Sequence, residues 1–322
     1  MTKKPTLLIT RDMPPLVAAR AVENYDARLN PDDKVYTPDA LIAAAEGVDG
    51  MLIAGTEKMT REAFGRLPES VKIVACFTAG FDHVDLDAAK ARGVVVTHAP
   101  DALTDAVADI SLLLLLGAAR RAGEGEALMR SGGWDNIHLL FMTGTEIKGK
   151  RLGILGMGRI GRAVAARARA FGLEIHYHNR SRLALELEAG AVWHDTAESL
   201  LECSDFLSLH CPSNEESRNF LDANAIARLP EGATVINTAR GDVVDDEALI
   251  AALESGRVGA AGLDVYRGEP NNIHPGYARL KNTFLLPHIG SATVETRSGM
   301  GLHALDNLDA FFAGKEPPNR LV

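Results

Sequence analysis

The chain reads as α/β, with two domains built on parallel sheets, and three observations carry that reading. Short apolar runs alternate with stretches of helical periodicity along all 322 residues. One run, Leu152 to Leu155, leads into Gly156-Met157-Gly158-Arg159-Ile160-Gly161, a G-x-G-x-x-G turn placed to open a helix. That turn comes after about 150 residues already rich in strand and helix signals, so another folded unit precedes it.

Taken in order, Thr6 to Thr10 reads as a buried strand, Pro14-Pro15 lead into a helix from Leu16, and Ala40 to Ala45 form a short helix. Gly50 to Gly55, Val71 to Phe77 and Val94 to Thr97 read as further buried strands, with helical patterns at Arg61 to Leu67 and Leu86 to Arg92. These make one small α/β unit of flavodoxin-like type, without a glycine motif of its own. Asp105 to Arg121 is a long helix of Ala and Leu, too apolar to lie free, expected between domains or at a subunit contact. Gly123 to Lys148, with Gly132-Gly133-Trp134 and the apolar Leu139 to Met142, is expected to be an extended arm that meets a partner.

After the glycine motif, Ile160, Val164, Ala168 and Phe171 recur at helical spacing and mark one apolar face. Gly172 stops that helix, and Leu173, Ile175 and Tyr177 alternate as the next strand. Further strands are read at Asp205 to Leu209, Thr234 to Asn237, Gly259 to Asp264 and Thr283 to Leu286. The helical pattern Ser291 to Ala313 is expected to return to the first unit, because the second sheet is complete before it. The expected domains are therefore 1–102 with 290–322, and 103–289, with two crossings forming a hinge over a cleft. Both units are Rossmann-like.

The charge, −9 from 34 basic and 43 acidic residues, argues against a nucleic-acid surface, which should show a basic excess, but not against a local basic pocket for an anionic ligand. No apolar run reaches membrane-spanning length, and the N-terminus has no signal-peptide pattern. Cys76, Cys203 and Cys211 show no C-x-x-C spacing. We therefore expect neither disulfide nor metal site, in a cytoplasmic protein.

The glycine motif lying between strand and helix is what a dinucleotide pyrophosphate requires. Gly156 permits the tight turn, Gly158 lets backbone approach phosphate, Gly161 lets helix pack on strand, and the helix N-terminus attracts the anion. In open parallel sheets ligands bind beyond the carboxyl ends of the strands. Here those ends carry His210-Cys211-Pro212, Thr238-Ala239-Arg240, Asp264 with Glu269, and Pro287-His288. Hydride transfer to a carbonyl needs an acid, and His288 has a suitable ordinary pKa. A carboxylate such as Glu269 would raise that pKa and orient the ring, and Arg240 suits a substrate carboxylate and keto oxygen.

With these stretches in view, the chain resembles the D-isomer-specific 2-hydroxyacid dehydrogenase family over nearly its whole length. The matching motifs are LGMGRIG from Leu155, LHCP from Leu209, NTARGDVV from Asn237, GLDVYRGEP from Gly262 and PHIGSAT from Pro287, with Arg121 and the terminal PNRLV also in place. The resemblance implies that His288 is the acid/base, Glu269 its partner and Arg240 a substrate-binding residue. It implies that the amides of Ala79 and Gly80 bind the substrate carboxylate, that 1–102 with 290–322 is the substrate domain, and that 103–289 is the dinucleotide domain with a dimerisation arm. Cofactor contacts are expected from Thr104, Gly156, Gly158, Arg159, Ile160, Gly161, Cys211, Pro212, Ser217, Thr238, Ala239, Asp264 and His288. His210 is read as a strand-end residue, and His83, His138 and His303 as structural or surface. A homodimer acting on a small 2-keto acid, closing by domain rotation, completes the expectation.

Where an NAD enzyme of this kind places an acidic residue, the chain has Asn179, followed by Arg180-Ser181-Arg182. Without an acid to repel a 2′-phosphate, and with these three to bind it, NADP(H) is the expected cofactor and NAD(H) the alternative. NADPH-dependent members of the family resemble glyoxylate and hydroxypyruvate reductases, and the small Ala54, Gly55 and Ala79 suit a compact substrate. A dinucleotide-sensing binding protein, an NAD-dependent enzyme for a larger 2-hydroxy acid, and a formate or phosphonate-type dehydrogenase are the competing readings.

Overall fold

In the computed structural model, which describes residues 3–322, the chain divides into two compact units, Met1–Leu103 with Ser291–Val322, and Thr104–Gly290. The first unit runs β1 (Thr6–Ile9), α1 (Pro15–Asn24), β2 (Asp26–Arg28), α2 (Pro38–Ala44), β3 (Gly50–Ile53), α3 (Arg61–Arg66), β4 (Ile73–Cys76), α4 (Leu86–Arg92) and β5 (Val95–Thr97). Its strands form one parallel sheet in the order β2-β1-β3-β4-β5. Four of the five were visible as apolar runs. Strand β2 was not, because this three-residue edge strand alternates between exposed and half-buried and carries no apolar run. Thr37, Thr60 and Asp85 each accept an amide of the helix they precede, which is why α2, α3 and α4 start where they do.

The second unit begins with α5 (Thr104–Ala119) and α6 (Ala122–Ser131), then β6 (Arg151–Leu155), α7 (Arg159–Ala170), β7 (Glu174–His178), α8 (Leu185–Glu188), β8 (Val192–His194), α9 (Ala197–Cys203) and β9 (Phe206–Leu209). It continues through α10 (Ala223–Arg228), β10 (Ala233–Asn237), α11 (Asp246–Ser255), β11 (Val258–Leu263) and β12 (Thr283–Leu285). All seven strands are parallel, in the order β12-β11-β10-β9-β6-β7-β8. The direction of strand progression reverses between β6 and β9, and that switch point is where such sheets bind ligands. The last helix, α12 (Val294–Phe312), packs against α1 and β4 of the first unit. The C-terminal tail then runs along β5, Leu321 donating to the Val96 carbonyl.

Two local expectations, for 123–148 and for Phe171, need correction. Helix α5, whose apolar length pointed to a domain or subunit contact, buries one side within its own unit, on α7, β10 and β11. Gly117 and Gly262 make this close approach possible: a Cβ on Gly117 would stand 2.3 Å from the Phe284 ring, and one on Gly262 2.7 Å from the Leu114 carbonyl. The segment 123–148 is not an extended arm throughout. Its first part is helix α6, and only the stretch beyond Ser131 is irregular, with Leu139 fully exposed and Leu140 84% exposed. Finally, Phe171 does not share the buried face of Val164 and Ala168. It is the C-cap residue of α7 and is exposed, because the helix ends before it.

Candidate active site

The glycine turn leaves β6 on one side of the switch point, and the ends of the other central strands gather on the far side. Gly156 has φ +97°, and a Cβ there would lie 2.7 Å from the Cys211 amide nitrogen, so the turn presses directly on the chain leaving β9. A Cβ on Gly161 would lie 2.4 Å from the Gly156 carbonyl, so α7 sits tightly on the turn. Gly158 differs. It is the N-cap of α7, has no side chain to satisfy the first helical amides, and has open space where a Cβ would project. An open glycine at a twelve-residue helix N-terminus is a cradle that fits a dinucleotide pyrophosphate.

Beyond β7, the Asn179 Oδ1 accepts the Met157 amide at 2.6 Å and so ties the second strand end to the glycine turn. Arg180 and Ser181 are exposed beside it. Arg182, expected to act with them, is committed elsewhere. Its guanidinium pairs with the buried Glu188 at 2.7 and 3.1 Å and lies over the Trp193 ring. Glu188 also accepts the Tyr177 hydroxyl at 2.6 Å, so Arg182 neutralises a carboxylate that is 4% exposed and falls below its ordinary pKa because of that pairing. A phosphate site here is narrowed to Arg180 and Ser181.

After β9, Cys211, Pro212 and Ser217 share one tight loop. The Ser217 hydroxyl donates to the Pro212 carbonyl at 2.6 Å and accepts the Asn214 amide at 2.9 Å, so it organises the loop. His210 bonds Ser208 Oγ through Nε2 at 2.8 Å, and burial pushes its imidazole down to about 4, leaving a neutral ring of structural character. After β10, the Asn237 side chain brackets the turn, Nδ2 donating to the Arg240 carbonyl and Oδ1 accepting the Ala239 amide, each at 2.9 Å. Thr238 Oγ1 lies 2.9 Å from Ser111 Oγ of α5. Thr104 opens that helix, and a turn later Val107 packs 3.3 Å from the Cβ position of Gly290.

The catalytic candidates are brought together by backbone contacts between successive strand ends. A Cβ on Gly241 would stand 2.0 Å from the Tyr266 carbonyl carbon, so the Arg240 turn rests on the loop that carries Glu269. The Tyr266 hydroxyl reaches the carbonyls of Leu263 and Leu286 at 2.9 Å, clamping the end of β11 to that of β12. Asp264, 1% exposed, accepts the amides of Ile289 and Gly290 at 2.8 Å, one on each oxygen. Burial raises the Asp264 pKa against those two amides. This grip secures His288, which sits at φ +54°, a strained conformation for a non-glycine residue.

Within that frame His288 Nδ1 meets Glu269 Oε1 at 2.5 Å, and the other Glu269 oxygen accepts the Tyr266 amide at 2.9 Å. The hydrogen bond that the ring donates to Glu269 raises the His288 pKa above its ordinary value, outweighing burial. Burial works to raise Glu269, but the ring, the Tyr266 amide and Arg240 together hold it lower. The Arg240 charge is felt by both residues, and its Nη1 donates to the Ala239 carbonyl at 2.7 Å. An imidazole kept protonable, a carboxylate fixed on its far nitrogen and a guanidinium alongside can donate a proton to one oxygen and hold a neighbouring anion.

In the first unit, Ala79 and Gly80 come directly after β4. The Ala79 carbonyl meets His98 Nδ1 at 2.8 Å and the Gly80 carbonyl accepts the Thr78 hydroxyl at 2.7 Å. The Thr78 carbonyl accepts the Ala99 amide at 3.0 Å, so the carbonyls of Thr78 and Ala79 fix the peptide planes that carry the Ala79 and Gly80 amides, and among the described residues no acceptor meets either amide.

Sequence reasoning passed over Asn237 and Tyr266, although both lie inside the quoted motifs, because neither titrates near neutrality. It also passed over Glu57, 3% exposed, which accepts Thr10, Ala54 and Thr56 at 2.8 Å and shapes the loop after β3. It lies in the polar run Thr56-Glu57-Lys58, where nothing in the sequence sets it apart.

Comparison with known proteins places this geometry. The profile described as D-isomer specific 2-hydroxyacid dehydrogenase, NAD binding domain, matches residues 112–290. The chain is 47% identical over 318 residues to the glycerate dehydrogenase of Hyphomicrobium methylovorum, covering 98% of each. It is 41% identical over 321 residues to the glyoxylate reductase of Thermococcus litoralis, covering 98% of this chain and 96% of that one. Among solved structures, the NADPH-dependent glyoxylate/hydroxypyruvate reductase of Sinorhizobium meliloti in complex with NADP and malonate aligns with TM-score 0.89 at 32% identity, over 99% of this chain and 97% of that one. Strand order, glycine turn and whole-length similarity agree: the chain belongs to the D-isomer specific 2-hydroxyacid dehydrogenase family of oxidoreductases.

Proposed function

We propose that the protein reduces glyoxylate or hydroxypyruvate to the D-2-hydroxy acid with NADPH, His288 serving as the acid. The interconversion of a 2-keto and a 2-hydroxy acid is common to its named relatives, and glycerate is the hydroxy acid that corresponds to hydroxypyruvate. The observation that carries the reading is the 2.5 Å His288–Glu269 contact in the frame set by Asp264 and Tyr266.

A bound nicotinamide supplies the hydride for this chemistry. The protein's part is to bind, orient and protonate. His288, with Nδ1 held by Glu269, presents Nε2 to the developing alkoxide and gives up its proton there. The ionised Glu269 balances the ring charge before that transfer. Arg240 draws the keto oxygen and the adjacent carboxylate, and the fixed amides of Ala79 and Gly80 are proposed carboxylate donors. The Gly158 cradle and the first amides of α7 would hold the pyrophosphate, with Thr104, Cys211, Pro212, Thr238 and Ala239 lining the other strand ends.

NADP preference rests on Asn179, which stands where a carboxylate would exclude the 2′-phosphate, and on the exposed Arg180 and Ser181. In steady-state assays with glyoxylate, NADPH is expected to give the higher kcat/KM. Arg180→Ala should raise the NADPH KM several-fold, roughly the loss of one exposed charge-assisted contact, and leave that for NADH unchanged. Equal or better efficiency with NADH in the unaltered enzyme would overturn the preference without touching the reductase assignment. We also propose a homodimer through the region 105–148, where apolar side chains from Trp134 to Phe141 stand exposed.

A further inference from the structure

Away from the reacting strand ends, three side chains that no sequence spacing connects converge on the outer part of the second unit's sheet. They are His176 of β7, His194 of β8 and Cys203 at the end of α9, each half-buried. His176 Nδ1 and His194 Nε2 are 2.9 Å apart, and Cys203 Sγ is 3.5 Å from both nitrogens.

These separations test a metal directly. An ion placed 2.0–2.1 Å from each nitrogen and 2.3 Å from sulfur satisfies all three when it stands about 1 Å out of the donor plane. That is a pyramidal N₂S set with a fourth tetrahedral position left open. Imidazole and thiolate together suit Zn(II) and exclude the hard, oxygen-seeking ions.

The next shell of partners already prepares the ligands. The Ser199 hydroxyl donates to the Thr196 carbonyl at 3.1 Å, so its oxygen accepts at 3.0 Å from His194 Nδ1. That leaves the proton on Nδ1 and a lone pair on Nε2, aimed into the cluster. The guanidinium of Arg151, close enough to act on His176 and Cys203, is matched by Asp205 at 2.9 Å.

We propose that His176, His194 and Cys203 form a structural Zn(II) site, with water as fourth ligand, that clips edge strand β8 to β7 and α9. On binding, Cys203 releases its thiol proton to solvent and sulfur coordinates as thiolate. The site is separate from the candidate active site. It would add a side-chain tie to a three-residue edge strand that is already paired with β7 through its backbone, His176 beside Val192 and His178 beside His194.

The test uses full-length protein stripped with a chelator and titrated with Co(II), then with Zn(II). The expected result is one equivalent of Co(II) bound, with a thiolate-to-cobalt charge-transfer band and visible bands of tetrahedral intensity, displaced by one equivalent of Zn(II). Zn(II) should raise the melting temperature of the unaltered chain. Cys203→Ser should abolish the charge-transfer band, and His194→Gln should weaken binding at least tenfold, while Cys211→Ser keeps the full spectrum. Absence of a saturable band at one equivalent, or a band retained in Cys203→Ser, would overturn the site. Should Cys203→Ser fail to fold, unchanged Co(II) affinity in His194→Gln would overturn it equally.

Discussion

His288 gathers most of the chemical argument, since its backbone strain, its partner and its raised pKa all converge on one imidazole. His288→Gln keeps a hydrogen-bonding group of similar reach but cannot transfer a proton. We expect kcat to fall by about 10²–10⁴ with little change in dinucleotide affinity, measured by stopped-flow turnover beside fluorescence titration. Glu269→Gln separates position from charge. Reduction needs the protonated ring, so kcat/KM for the keto acid falls as pH rises through the His288 pKa. Glu269 is the main cause of that raised value, and its loss should move the falling limb to lower pH. A limb that stays in place in the variant would mean that another group titrates. The oxidation direction, which needs the neutral ring, should begin at lower pH in the same variant.

At the scale of elements, the β6–α7 turn divides its glycines by task. Gly156 is excluded from bearing a side chain twice over, by its φ of +97° and by the Cys211 amide 2.7 Å away. Gly156→Ala should therefore cost about 1–3 kcal/mol in stability, read from chemical denaturation, as well as dinucleotide binding. Gly158 has open space around it, so Gly158→Ala should unfold at nearly the same denaturant concentration and yet bind the dinucleotide several-fold more weakly. Equal stability losses at the two positions would contradict this division. The glycine spacing was legible in the sequence, and so was the helix after it. Its apolar face was overextended to Phe171, because periodicity does not reveal that a helix stops one residue earlier.

For the molecule as a whole, each unit is a parallel sheet with its own order, and Arg240, Glu269 and His288 of the second all follow the carboxyl ends of strands. The described residues include no helix long and apolar enough to cross a membrane. The irregular segment after α6 leaves Ile137, Leu139 and Leu140 at 77%, 100% and 84% exposure, more apolar surface than one short loop would leave to water. If it forms the dimer contact, Leu139→Glu with Leu140→Glu should halve the mass in sedimentation equilibrium while each subunit keeps its far-ultraviolet circular dichroism. An unchanged mass would place the contact elsewhere.

The sequence by itself determined the α/β class, most strands, the glycine turn and the identity of His288, Glu269 and Arg240 as candidates. These are local properties: apolar runs report buried strands, and chemistry-bearing residues directly after them report strand ends. Only tertiary structure decided which partner each polar group takes. Arg182 went to Glu188 instead of a phosphate site, and Asp264 spent both oxygens on the backbone that holds His288. It also brought His176, His194 and Cys203 within 4.8 Å of one another from two strands and a helix, where no sequence spacing announces them. The physical reason is common to all three. Hydrogen bonds and metal ligands depend on distances of about 2–3 Å between atoms far apart in the chain, and those distances exist only once sheet order and helix packing are set.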